Sequence, residues 1–244
     1  MGPVDVNSHP AGKLIALEGV DASGKSTQID QLMEWLRLSG VPLTLFSFPR
    51  TDGPGFGEVI AKFLRGELGA VDAVNPFLIA AVFAADRLSA KPEISAALEN
   101  SETVIVDRYV HSNIAFQCAK TSDPVEKQKL KQWVIETEFT VNDLPRPDIV
   151  VYLRVPEDFV RDVVSKRSCA QREYLKGSQD IHEHAFDLQR QVAVEYERML
   201  ESDPVMRVVD CVDETGKMKP PNEISTQLIS TLQKVLDFKG APAQ

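Results

Sequence analysis

The chain has 244 residues, 43% hydrophobic and 26% charged, with 13 Gly and 15 Pro, which excludes collagen-like, low-complexity and wholly disordered classes. Lys plus Arg number 27 against 36 Asp plus Glu, a net charge of −9. Such an acidic chain is a poor partner for nucleic acid, and it can hold a phosphate only by gathering its positive charge in one place.

Residues 1–12 (MGPVDVNSHPAG) have neither an apolar signal core nor an Arg-rich transit pattern, and Val6 stands where a myristoylation signal has Ser or Thr. They read as a flexible tail on a cytoplasmic protein. Residues 13–18 (KLIALE) read as a buried strand. Residues 25–39 carry Ile29, Leu32, Met33 and Leu36 at helical spacing, and Gly40 ends that helix. Residues 43–48 form a second strand, and residues 75–100 a helix with a bend expected at Pro92. Strands follow at 103–107 and 149–155, then a helix opened by Pro156. The polar stretch 166–183 shows no helical period and reads as a lid, about 165–183. A fifth strand covers 207–211, and residues 239–244 read as a second tail. No linker divides residues 13–238. Strands alternating with helices imply one α/β domain: three layers, a parallel sheet of about five strands with helices on both faces, and a mobile lid. There is no run of 18 apolar residues, so no membrane helix is expected. Cys118, Cys169 and Cys211 lie far apart and read as free thiols of a reducing compartment.

The strongest motif is Gly19, Val20, Asp21, Ala22, Ser23, Gly24, Lys25, Ser26, which satisfies G-x-x-x-x-G-K-[ST] between a strand and a helix. The backbone N–H groups of such a loop converge on an anion at a helix N-terminus. From Gly19 to Thr27 the residues read as an ATP site. Lys25 supplies charge to the outer phosphates, and the Ser26 hydroxyl can ligate Mg²⁺. A GTPase would need a guanine-reading Asn/Thr-Lys-x-Asp segment and an ABC-type ATPase a Leu-Ser-Gly-Gly-Gln; neither occurs. A small-molecule kinase is what remains.

Three arginines stand out. Arg108 follows the third strand in Asp107-Arg108-Tyr109, and Arg50 follows the second in Phe48-Pro49-Arg50. Ligands of open α/β sheets bind at the carboxyl ends of the strands, so both arginines face one edge, where Asp107 can hold a metal-bound water. Phe83 and Arg87 are four residues apart on one helix face, an aromatic plate beside a forked donor. That pair suits a base, although Phe83 also reads as ordinary core. His182 and His184 cannot share a helix face and read as surface residues.

The segments LEGVDASGKSTQ (17–28), FPR (48–50), FAADR (83–87), DRYVHSNIAFQ (107–117) and LPRPDIVVYL (144–153) together resemble the thymidylate kinase family. The resemblance implies transfer of a phosphoryl group from ATP to dTMP, with Mg²⁺. It implies that Asp21 accepts from the deoxyribose 3′-hydroxyl, and that Arg50 and Arg108 grip the dTMP phosphate. Phe83 then stacks on thymine, and Arg87 bonds its carbonyl edge. Phe48, Ser112 and Asn113 lie near the substrate, and Phe116 stands where the family often has Tyr under the sugar. It also implies a homodimer packed through helices, with segments 55–65 and 75–100 as candidates. Some relatives carry an Arg after the loop Asp; here that residue is Ala22, and members without it place the arginine in the lid. Arg172, and after it Arg167, are the candidates for that catalytic charge beside Lys25 and Arg108.

The partners so read are dTMP, ATP and a second copy of the chain, with no nucleic acid and no membrane. Two other readings stand: a phosphate-loop kinase for UMP, CMP or a nucleoside, and a nucleotide-binding module without catalysis. Arg50 and Arg108 weigh against a nucleoside, which has no phosphate to grip. The intact Lys25, Ser26, Asp107 and Arg108 weigh against a non-catalytic module.

Overall fold

The computed structural model describes residues 12–69, 74–171 and 180–236. The tail readings at 1–12 and 239–244 therefore fall outside the described residues, save Gly12. One sheet holds β1 (Lys13–Glu18), β2 (Leu43–Ser47), β3 (Thr103–Asp107), β4 (Ile149–Arg154) and β5 (Met206–Asp210). Its order is β2-β3-β1-β4-β5, and every neighbouring pair is parallel. The helices are α1 (Lys25–Leu38), α2 (Gly57–Leu64), α3 (Pro76–Glu99), α4 (Val110–Cys118), α5 (Pro124–Glu136), α6 (Glu157–Gln171), α7 (Asp180–Ser202) and α8 (Pro221–Val235), with a π-helical turn at Thr137–Val141. The expected α/β architecture is present, and each strand lies within one residue of its predicted bounds.

Strand periodicity sorts the core into two layers. Alternate residues point to opposite faces. Leu14, Ala16, Val104 and Val106 pack with Ile94 of α3, Ile114 of α4, Val134 of α5 and Val192 of α7. Ile15, Leu17, Ile105 and Val151 pack with Leu32 of α1 and Leu228 of α8. Each such side chain contributes about 1.5–3 kcal/mol when fully buried. The register then fixes the functional edge. Asp107 pairs with both Leu17 and Ser47, so β1, β2 and β3 end at one height and their loops open side by side.

Two local features stand out. α3 carries Pro92 within one continuous helix, capped by Asn75, whose side chain accepts the Phe77 N–H at 2.9 Å. Proline gives up its own N–H bond and crowds the carbonyl four residues back, but buried Ala90, Ile94 and Leu98 hold the helix on both sides of it. The polar stretch at 166–183 is helical at both ends: α6 continues to Gln171 and α7 begins at Asp180, leaving 172–179 outside the described residues. The period that fixes α7 lies further on, in buried Val192, Tyr196 and Met199. The polar residues before them simply extend that helix. Among the described residues no helix is long and apolar enough to cross a membrane.

Candidate active site

The loop between β1 and α1 curls as its glycines require. Gly19 and Gly24 have positive φ, and a Cβ on Gly19 would lie 2.7 Å from the Ser23 hydroxyl. Lys25 folds back under the loop: its Nζ donates to the Gly19 and Val20 carbonyls at 3.2 and 2.9 Å and to Ser23 Oγ at 3.2 Å. Burial, with repulsion from Arg108 behind it, lowers the Lys25 ammonium to about 7. Ser26 and Thr27 face solvent at the helix start. Asp107 ends β3 nearby; burial raises its carboxyl above the ordinary range, and its Oδ1 is buried without a partner. An exposed hydroxyl and an unpartnered carboxylate oxygen form a donor set that suits Mg²⁺ with its retained waters.

Beside the loop lies a cavity of about 340 Å³, within the range of small-molecule sites. Asp21 and Arg108 close its phosphate-loop end. Arg108 Nη2 meets Asp21 Oδ1 at 2.6 Å, Nη1 donates to the Gly19 carbonyl at 3.0 Å, and the guanidinium lies over Phe116 at 4.9 Å. Phe48 and Phe83 form apolar walls, and Phe63 of α2 meets Phe83 edge-on, with centroids 6.1 Å apart. Arg87, Ser112 and Asn113 complete the wall deeper in. Phe83 and Arg87 thus share one helix face and one cavity, as their spacing predicts.

Arg50 alone of the expected substrate residues is absent from that lining. Asp86, buried on α3, holds it: Arg50 Nε bonds Asp86 Oδ1 at 2.9 Å and Nη2 bonds the Asp86 carbonyl at 2.7 Å and the Ser89 hydroxyl. Its guanidinium packs over Phe48 at 5.5 Å, so it reaches the site through that ring. Arg172 lies outside the described residues. Arg167 lies on α6, and its side chain, like those of His182 and His184 on α7, is also outside them.

Four functional neighbours escaped the reading of the sequence. Glu18, fully buried at the end of β1, accepts the Tyr109 N–H at 2.7 Å and the Tyr196 hydroxyl at 2.8 Å, tying the phosphate-loop strand to α4 and α7. Gln189 of α7 accepts the Asp21 N–H and donates to the Asp21 carboxylate, both at 2.8 Å. Glu138 of the π-helical turn holds Arg87 and Asn113. Lys120 lies over Phe63 and lines the cavity beside it. Only Glu18 left a signal, as a carboxylate ending an otherwise apolar strand.

The family model described as thymidylate kinase matches residues 17–219. This chain belongs to the thymidylate kinase family. Thymidylate kinase from Mycobacterium tuberculosis is 33% identical over 183 residues, covering 75% of this chain and 83% of that one. A probable thymidylate kinase from Thermococcus kodakarensis is 30% identical over 228 residues, covering 91% and 98%. The solved structure of thymidylate kinase from Candida albicans superposes with a TM-score of 0.66 at 26% identity, over 92% of each chain. The chain is thus a kinase of the phosphate-loop type.

Proposed function

We propose that the protein transfers the γ-phosphoryl group of ATP to dTMP, yielding ADP and dTDP. The observation that carries this reading is a single cavity joining a phosphate-loop carboxylate, an aromatic wall and a base-edge donor. An oxygen of the dTMP phosphate attacks the γ-phosphorus while the bond to the β-bridging oxygen breaks. No protein nucleophile is required, and catalysis rests on positioning and charge. The loop amides and Lys25 hold the ATP phosphates, and Lys25 exchanges the Gly19 and Val20 carbonyls for them. Arg108, already between Asp21 and Phe116, orients the dTMP phosphate with Arg50, whose Nη1 has no hydrogen bond to a described residue. Asp21 accepts from the 3′-hydroxyl, Phe83 stacks on thymine, and Arg87 with Asn113 meets its polar edge. Ser26, and Asp107 through a water, would hold Mg²⁺, which when bound would supply positive charge against the phosphates. Arg172 or Arg167 supplies the remaining cation at the transition state.

The protein acts as a homodimer in the cytoplasm. Leu78 and Leu88 on α3 leave 66 and 40% of their surface exposed, apolar area available to a second copy. A coupled ADP-release assay over dTMP, dUMP, UMP, CMP and thymidine tests the reaction. The largest kcat/KM is expected for dTMP; a preference for UMP, CMP or thymidine, or no turnover of any, overturns the reading.

A further inference from the structure

Glu138 belongs to none of the motifs above, yet it is fully buried in the π-helical turn behind the cavity. A buried carboxylate is costly unless paired. Three donors converge on this one. Arg87 gives its Nε to Oε2 and its Nη2 to Oε1 at 2.7 Å, and Asn113 Nδ2 meets the same Oε1 at 2.8 Å. Burial alone would lower the Arg87 guanidinium, but Glu138 outweighs it and holds the group above its ordinary value.

The second N–H of Asn113 goes to the Ala80 carbonyl at 3.0 Å. A carboxylate and a carbonyl on one side of the amide leave it a single orientation. The half-turn alternative would set Oδ1 against two acceptors. Oδ1 is therefore the atom left over: it is buried in the cavity wall and has no partner. Arg87 Nη1 likewise makes no hydrogen bond to a described residue.

We propose that Glu138 is a positioning residue that sets the polarity of base recognition, and through it the choice of thymine over cytosine. This rests on the reading of the cavity as a dTMP site. Glu138 fixes an acceptor at Asn113 and a donor at Arg87. Thymine offers the complement, an N3–H donor beside a C4 carbonyl. Cytosine presents the reverse, an N3 acceptor beside an amino donor, so it would meet acceptor with donor and donor with acceptor. A site built for one hydrogen-bonding pattern rejects its inverse because buried groups are left unpaired.

The test is Glu138→Gln, which keeps the shape and removes the rule that both faces be donors. The quantity read is the ratio of kcat/KM for dTMP to that for dCMP. It is expected to fall by about 10- to 100-fold, through the KM for dTMP rather than through kcat, with the KM for ATP unmoved. A merely structural role would lower stability and affect both nucleotides alike. In the wild type, 3-methyl-dTMP, which lacks the N3–H, should lose about 10-fold or more against dTMP, and that loss should shrink in Glu138→Gln. If Glu138→Gln does not fold, Asn113→Ser removes the oriented amide and must flatten the same ratio. An unchanged dTMP-to-dCMP ratio in the folded variant overturns this proposal alone. A wild type that turns over neither nucleotide overturns the functional reading and this proposal with it.

Discussion

The two ends of the cavity differ in how far the protein satisfies its own polar groups. At the base end, Arg87, Asn113 and Glu138 bond one another and leave open one acceptor and one donor. At the phosphate end, Lys25 rests on loop carbonyls with its ammonium lowered to about 7, and Asp107 Oδ1 is buried without a partner. The base end is a finished mould. The phosphate end holds charge in an unfavourable setting, which an anionic ligand relieves. Such preorganisation favours the charge that develops during transfer over the charge of the resting substrate. Substitutions at the phosphate end should therefore appear in kcat, and those at the base end in the KM for dTMP.

The largest effects belong to the phosphate end. Arg172→Ala should lower kcat by about 10³-fold or more, the scale of an arginine at a transferring phosphoryl group, with little change in dTMP affinity. Arg172→Lys should recover only part, because a point charge does not reproduce a planar fork. If Arg172→Ala and Arg167→Ala, singly and together, keep the wild-type kcat, neither is the missing cation. Lys25→Ala should cost about 10²–10³-fold in kcat, as the loss of one transition-state donor does. A folded Lys25→Ala protein with normal turnover would remove the phosphate loop from the mechanism.

Phe83→Ala should act at the other end. Losing a stacking face is worth about 1–3 kcal/mol per base, so dTMP binding should weaken by about 5- to 150-fold while ATP binding holds. Calorimetric titration of each ligand distinguishes the cases. Equal weakening of both would make Phe83 a core residue and dissolve the contrast between the ends.

The same contrast explains what the sequence discloses. The phosphate loop is a local device, eight consecutive residues whose backbone does the binding, and Gly19 to Ser26 declares it in one string. Phe83 and Arg87 are legible because helical period places them on one face. Strand bounds are legible because β1, β3 and β4 are apolar runs buried on both faces. Glu138 and Gln189 are not legible: they lie 51 and 168 positions from Arg87 and Asp21, and only the packing of the π-helical turn and α7 brings them to the site. Arg50 is legible only in part. Its place after β2 puts it at the correct edge, but its tie to Asp86 on α3, beside the Phe48 wall of the cavity, is one no local pattern reveals.

The smallest expected effect lies where the two ends are joined. Gln189 of α7 meets Asp21 as a matched pair, its carbonyl oxygen taking the loop N–H and its amide donating to the carboxylate. It thereby holds the carboxylate assigned to the 3′-hydroxyl. Two neutral-donor hydrogen bonds at a partly exposed site contribute about 0.5–1.5 kcal/mol each to placing Asp21, and only part of that reaches the nucleotide, so Gln189→Ala should raise the KM for dTMP by about 2- to 10-fold. Gln189→Glu should do worse, since it keeps the volume but sets a second carboxylate against Asp21. The deciding measurement uses the 3′-deoxy analogue of dTMP. If Gln189 acts through Asp21 on the 3′-hydroxyl, the penalty of Gln189→Ala should vanish with a nucleotide that has no such hydroxyl. A penalty of equal size on both nucleotides would mean that Gln189 merely packs α7 onto the loop, and that the phosphate end is positioned independently of the sugar beside it.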